Sequence, residues 1–276
     1  MARPAGHPLA GQSAVTSLRP PRIAAVGQVT WHRHLVVDCW PPPGGSEIVH
    51  AEHAEPRRTT ISAVALSRLG AQVSFAGVVG DDDEGATLRA ALQAEGVDTG
   101  WLAIRQGQRT GTATMIISGT PPERTMLWHP GAQIVRGDRL DIAALFDHDV
   151  VLLDVADAPL RRFLTDLPAH TLPRTRLVAP LTDLVRADLS DALEVALRHD
   201  DLIGTERQVR ALVRSETLDE AVVTIQSQMR GNNLRSLVIF LGATGCRICT
   251  PDETWNISGF PAAMLNATAA GDAFVA

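Results

Sequence analysis

An α/β fold, with a mostly parallel sheet held between two layers of helices, is what the sequence predicts, and three observations carry the prediction. Beyond Gly131, short apolar runs at 150–155, 176–179, 201–203 and 237–241 alternate with amphipathic stretches at 159–167, 184–197, 206–213 and 218–228. Strands buried on both faces and joined by crossover helices produce this pattern. Ile23-Ala24-Ala25-Val26, closed by Gly27, reads as a further buried strand. The chain has 276 residues, 45% of them hydrophobic, enough for one large domain or two small ones.

Taken in order, residues 1–22 are rich in Pro, Gly, Arg and Ala without apolar periodicity, and are expected to form a flexible tail. The alternating stretch 29–39 is expected as a half-buried strand, Pro41-Pro42-Pro43-Gly44-Gly45 as a turn, and 46–55 as a strand returning on the first. This hairpin is more polar than a core strand and is expected to project from the domain. Within 60–69, Ile61, Ala65, Leu66 and Leu69 share one helical face, and Gly70 supplies the stop. A strand is expected at 72–79. Asp81-Asp82-Asp83-Glu84 then precedes Leu88, Ala91 and Leu92. Acidic side chains complement the positive end of a helix, so this run reads as a capped helix start in preference to a metal site, and Gly96 closes the helix.

Charge and composition narrow the function classes. Lys+Arg 25 against Asp+Glu 31 gives a net charge of -6, so no overall positive field draws the chain to nucleic acid or anionic membrane. No apolar run approaches the roughly 20 residues of a spanning helix, and the first residues lack the apolar core of a signal peptide, so a cytoplasmic location is expected. Cys39, Cys246 and Cys249 are too few for a disulfide framework. The pair Cys246 and Cys249, with no second pair, is expected to be structural in a short strand. Lysine and tyrosine are both absent. Lysine-based catalysis is therefore excluded, and any phosphate must be held by arginine, backbone N–H groups or a metal. No G-x-G-x-x-G follows a strand, which argues against a dinucleotide-binding oxidoreductase.

The chemistry concentrates in the last segment, Asn266-Ala267-Thr268-Ala269-Ala270-Gly271-Asp272-Ala273-Phe274. Small residues leave its backbone unshielded, and a helix is expected to begin near Asp272; free N–H groups at such a start can receive a phosphate. On chemistry alone Asp272 reads as a cap in preference to a catalytic group. The segment resembles the Asp-Thr-x-Gly-Ala-Gly-Asp signature of the ribokinase-like (PfkB) sugar and nucleoside kinases. Further pieces resemble that family in the same order: Leu69-Gly70-Ala71 and Val78-Val79-Gly80-Asp81, Glu95-Gly96-Val97-Asp98-Thr99, Thr110-Gly111-Thr112-Ala113, 124–132, and Leu241-Gly242-Ala243-Thr244-Gly245.

The resemblance implies a ribokinase-like three-layer α/β/α sandwich over 23–276, with a small β lid from about 29–55 and 110–128. It implies transfer of the γ-phosphate of ATP to a hydroxyl of a small carbohydrate or nucleoside-like substrate, with Mg2+ and a homodimer through the lid. Asp272 takes the place of the base, Ala269, Ala270 and Gly271 that of the anion hole, and Gly242, Thr244 and Gly245 that of the nucleotide-side turn. His32, Gly45, Arg57, Thr59 and Thr112 fall where substrate contacts are expected, and Glu206 is the nearest acidic residue to the family's magnesium-positioning motif. The departures point the other way. Asn266 replaces the signature's first Asp and Ala269 its first Gly; Pro56-Arg57-Arg58-Thr59-Thr60-Ile61 replaces the sugar-binding Gly-Gly-x-x-x-Asn; His32 stands at a common sugar-binding Asp; and Phe240 precedes the glycine turn. Family members continue through further helices, so a fragment or a form lacking the usual C-terminal helices is expected. The alternative is a catalytically impaired or truncated relative acting as a binding or regulatory module.

Overall fold

The computed structural model describes residues 19–120, 123–167, 175–182, 184–185, 191–261 and 270–276. Arg19 meets Asp149 at 2.6 Å, and the Arg22 amide donates to the same carboxylate at 2.8 Å, which fixes the entry to β1 (Arg22–Gly27). Ile23, Ala24, Ala25 and Val26 are buried, as a central strand requires. The chain then leaves the main sheet as β2 (Val29–Val37) and returns antiparallel as β3 (Ala51–Arg58), with Val36 opposite Ala51 and Val29 opposite Arg58. The returning strand was expected at 46–55. It forms later because the Pro-rich turn, closed by the Gly45 amide on the Pro42 carbonyl at 2.8 Å, is followed by a wide connection before pairing resumes.

α1 (Thr59–Arg68) buries Ala63 and Leu66 and leads to β4 (Gln72–Gly80), parallel to β1. α2 (Asp83–Ala94) follows, and the acidic run caps it as expected: the Asp82 carboxylate accepts from the Gly85 amide at 3.0 Å. The same carboxylate accepts the Thr110 hydroxyl at 2.5 Å and the Thr110 amide at 2.8 Å. Burial acts to raise its pKa, but these three donors prevail and hold it below the usual carboxylate range. β5 (Asp98–Arg105) pairs parallel with β4. β6 (Gly111–Ser118) and β7 (Glu123–His129) then complete a second sheet of order β3-β2-β6-β7, the small lid.

After α3 (Ile142–Leu145), a short helix that was not anticipated, the chain alternates as predicted: β8 (Val150–Asp154), α4 (Ala158–Asp166), β9 (Arg176–Pro180), α5 (Ala192–Ala196), β10 (Asp201–Thr205), α6 (Glu206–Val213), α7 (Leu218–Met229) and β11 (Ser236–Phe240). A turn leads to the antiparallel pair β12 (Gly245–Cys249) and β13 (Thr254–Ser258), and α8 (Ala270–Phe274) is the last described helix. Of the helix expected over 184–197, Leu184 and Val185 form a turn, 186–190 lie outside the described residues, and helix runs over Ala192–Ala196.

The main sheet has nine strands in the order β13-β12-β11-β10-β9-β8-β1-β4-β5, parallel from β11 to β5. Alternate residues of one strand feed opposite cores. Ala24 and Val26 pack with Leu160 and Leu164 of α4, whereas Ile23 and Ala25 pack with Ala63 of α1 and Leu88 of α2. A third cluster joins β9, β10 and β11 to α5, α6 and α7 through Leu202, Val209, Ile225 and Leu237. Cys246 and Cys249 lie in β12 three positions apart, so strand alternation sends them to opposite faces, and Cys249 is buried.

Candidate active site

Parallel strands leave their C-terminal ends as the place where loops and helix starts converge, and ligands of such folds bind there. Here a cavity of about 160 Å³ opens at the ends of β8, β9, β10 and β11. Asp154, Pro180, Thr205 and Phe240 come from those ends, Thr59 and Ser62 from the first turn of α1, and Gly271 and Asp272 from α8.

Asp154 ends β8 directly opposite Gly27 of β1. A side chain at position 27 would run into the Thr59 hydroxyl and lie 2.9 Å from the Asp154 carbonyl oxygen, so only glycine lets α1 start this close to the sheet. Thr59 donates its hydroxyl to the Asp154 carboxylate at 2.9 Å, and the Arg58 guanidinium stands 3.3 Å from the other oxygen. Both charged side chains are nearly buried, at 12% and 6% exposure, which makes this an ion pair within the protein and not a solvated helix start. Arg58 adopts φ 72° and ψ -140°, a conformation that costs a non-glycine residue about 1–3 kcal/mol. Strain of this kind persists where surrounding contacts enforce it.

On the other side, the Ser62 hydroxyl donates to the backbone carbonyl of Asp272 at 2.7 Å. Phe274, two residues on, meets the Phe240 ring at a centroid distance of 4.8 Å. At the floor, the Thr205 hydroxyl caps α6 through the Gln208 amide, and the Gln208 side chain donates to Thr182 at 3.3 Å.

The structure brings Asp272, Gly271 and Thr59 together in this cavity, with Ala270 at the start of the same helix. Ala269 lies outside the described residues. Gly242 and Thr244 form the turn after Phe240, and Gly245, at φ 115°, closes it in a conformation suited to glycine. Glu206 does not line the cavity. It lies at the start of α6, half exposed, 4.0 Å from Arg210 one turn on, because the capping box of Thr205 and Gln208 turns those two residues inward instead. His32 lies in β2 with its ring 6.4 Å from that of His34, Gly45 sits in the Pro-rich turn, Arg57 pairs in β3 opposite Thr30, and Thr112 lies in β6 opposite Trp31. Neither His32, Gly45 nor Thr112 is among the residues lining the cavity. Ile61 faces a separate apolar groove with Val64 and Leu92.

Asp154 and Ser62 were not singled out from the sequence as site residues, and Arg58 was read there, with Arg57, as a clamp for a substrate phosphate or a solvated helix start, not as the partner of Asp154. Asp154 carried a signal, since a carboxylate closing a buried apolar run at the C-terminal end of a parallel strand is rarely there for packing.

The model of the pfkB family of carbohydrate kinases matches residues 62–276. This chain belongs to that family. Among its pfkB relatives, the ribokinase of Haemophilus influenzae is 28% identical over 218 residues, covering 77% of this chain and 69% of that protein. The ATP-dependent ribose-1-phosphate kinase of Halopiger xanaduensis is 24% identical over 263 residues, 92% of this chain and 82% of that protein. In fold, the chain is similar to the ribokinase of Arabidopsis thaliana solved with ribose and ATP: the TM-score is 0.76 at 17% identity, over 92% of this chain and 83% of the other. The ribokinase-like architecture, with its mostly parallel nine-stranded sheet and four-stranded lid, is thus shared. Among the described residues, no helix is long and apolar enough to cross a membrane.

Proposed function

We propose that this pfkB-family chain transfers the γ-phosphate of ATP to a hydroxyl of a small carbohydrate or nucleoside-like substrate, with Asp272 as the base. The observation that carries the reading is the meeting of Asp272 with Asp154, Thr59 and Ser62 in one cavity at the C-terminal ends of the parallel strands. A phosphoryl transfer asks the protein for positioning and for charge stabilisation more than for covalent chemistry. Asp272 is suited to accept the proton of the attacking hydroxyl, a task that needs no large pKa shift. In this reading the backbone N–H groups of Gly271 and Asp272 stabilise charge on the moving phosphoryl group.

On the acceptor side, Asp154 supplies carboxylate oxygens and Thr59 a hydroxyl, the groups that read substrate hydroxyls. Arg58 balances the Asp154 charge, so this side suits an acceptor recognised by its hydroxyls. For the nucleotide, a side chain at Gly242 or Gly271 would meet no other described residue within 4 Å, which leaves room for phosphates beside the β11–β12 turn and α8. Among the described residues no group of three His, Cys, Asp or Glu could hold a metal. Magnesium binds largely through nucleotide phosphates and water with one or two carboxylates; Asp272 or Asp154 would supply these, and the ion would supply neutralising charge.

A second reading, a family member that binds without catalysing, is favoured by His32 and Ile61, which stand where sugar contacts are expected and do not line the cavity. Assaying MgATP turnover with candidate acceptors separates the two: acceptor-dependent conversion of MgATP to ADP that Asp272→Asn abolishes supports the kinase, and binding of MgATP without turnover supports the module.

A further inference from the structure

We infer that Ser62, acting with Phe240, is a positioning residue that sets where Asp272 stands relative to the acceptor side of the cavity. The inference rests on the reading of Asp272 as the base. Thr59 and Ser62 are three residues apart in α1 and therefore lie on one helical face. Both are buried, at 1% and 3% exposure. Thr59 donates to the carboxylate of Asp154, and Ser62 donates to the backbone carbonyl of Asp272. A single face of one helix thus ties together two carboxylate-bearing segments that are far apart in sequence.

From the opposite side, the Phe240 ring at the end of β11 packs on Phe274 at 4.8 Å, tilted by 33°. The short helix α8 is held between a hydrogen bond to α1 and an aromatic contact to the sheet. Catalytic groups must be placed to within about half an ångström, and supporting contacts of this kind supply that placement. Ser62 touches the main chain of Asp272 and not a reacting atom, so its effect passes through the base.

The test compares Ser62→Ala, Ser62→Thr and Phe240→Leu with the unaltered chain. Alanine is the better helix former, so Ser62→Ala leaves α1 intact. Amide hydrogen exchange is read over 270–276, and turnover is read with MgATP and ribose or fructose as probe acceptors. Loss of one buried hydrogen bond is expected to raise exchange across α8 about fivefold in Ser62→Ala, with α2 and β1 unchanged. The same variant is expected to lower kcat about fivefold at unchanged KM, and Ser62→Thr, which keeps the hydroxyl, to restore it; Phe240→Leu acts in the same direction as Ser62→Ala. Unchanged exchange over 270–276 in Ser62→Ala overturns the inference. So does an unchanged kcat in a chain that turns over. If the unaltered chain phosphorylates neither acceptor, the kinase reading loses support with them, while the exchange measurement still decides the role of Ser62.

Discussion

The two sides of the cavity are built on different terms. On one side, Ala270, Gly271 and Asp272 keep the last residues of the pfkB signature, and α8 presents them at the ends of the strands. On the other, the segment from Pro56 to Ile61 keeps neither the paired glycines nor the Asn of the family pattern. It brings instead a strained arginine and a threonine hydroxyl that both meet the buried carboxylate of Asp154. The side proposed to handle the phosphoryl group is thus recognisable by motif, whereas the side proposed to read the acceptor is recognisable only by contact. Chemistry common to a family constrains residue type, and acceptor choice is free to be rebuilt from other side chains at the same place.

Breaking the acceptor side has the largest expected effect on stability. Asp154→Ala removes the carboxylate facing the nearly buried Arg58, and disrupting such a pair from one end costs about 3–5 kcal/mol. Denaturant unfolding of the variant checks this, and a loss below about 1 kcal/mol would mean that the pair is not held as described.

A pH effect from the opposite end of the sheet sharpens the comparison. His199 precedes β10 and is fully buried; burial pushes its pKa down from 6.5 to about 4, although the Ala196 and Val195 carbonyls oppose the shift. The unfolded chain takes up this proton below about pH 6.5 and the native chain only near pH 4, so stability is present above 6.5 and is lost as the pH falls through that window. The loss amounts to roughly 3 kcal/mol. Urea midpoints at pH 7 and pH 5 should differ in the unaltered chain, and the difference should shrink in His199→Leu. An equal pH slope in both would show that the native imidazole titrates normally.

The smallest effect is expected from Thr59→Val, which keeps the shape and removes the hydroxyl held by Asp154. One hydrogen bond to a charged group is worth about 1.5–3 kcal/mol. Thermal unfolding reads it, and a change within error would assign the Thr59 position to packing alone.

Much of the scaffold was legible in the sequence. The stretch 206–213 coincides with α6 because Thr205 and Gln208 form its capping box, and the acidic run before Leu88 caps α2 through Asp82. Strand ends were less legible where long-range pairing sets them. β3 runs on to Arg58 because Val29 lies opposite, a partner that no local pattern reveals. Within the site, Asp272 and Gly271 were found through a motif, and Thr59 through its place in a segment that departs from one. The meeting of Arg58 and Thr59 with Asp154, and of Ser62 with Asp272, depends on contacts across 95 to 210 residues of sequence that no local pattern reveals. Glu206 shows the converse: an acidic residue at the expected point of the chain, turned along its own helix toward Arg210.

The central claim, that Asp272 is the base of a hydroxyl-directed phosphoryl transfer, is tested most directly by following transfer of labelled γ-phosphate from MgATP to a panel of sugars and nucleosides, in the unaltered chain and in Asp272→Asn. The account predicts acceptor-dependent transfer by the unaltered chain and a fall of about 10²- to 10⁴-fold in the variant, the usual contribution of a positioned base, with MgATP binding retained. Transfer that survives Asp272→Asn undiminished would contradict it.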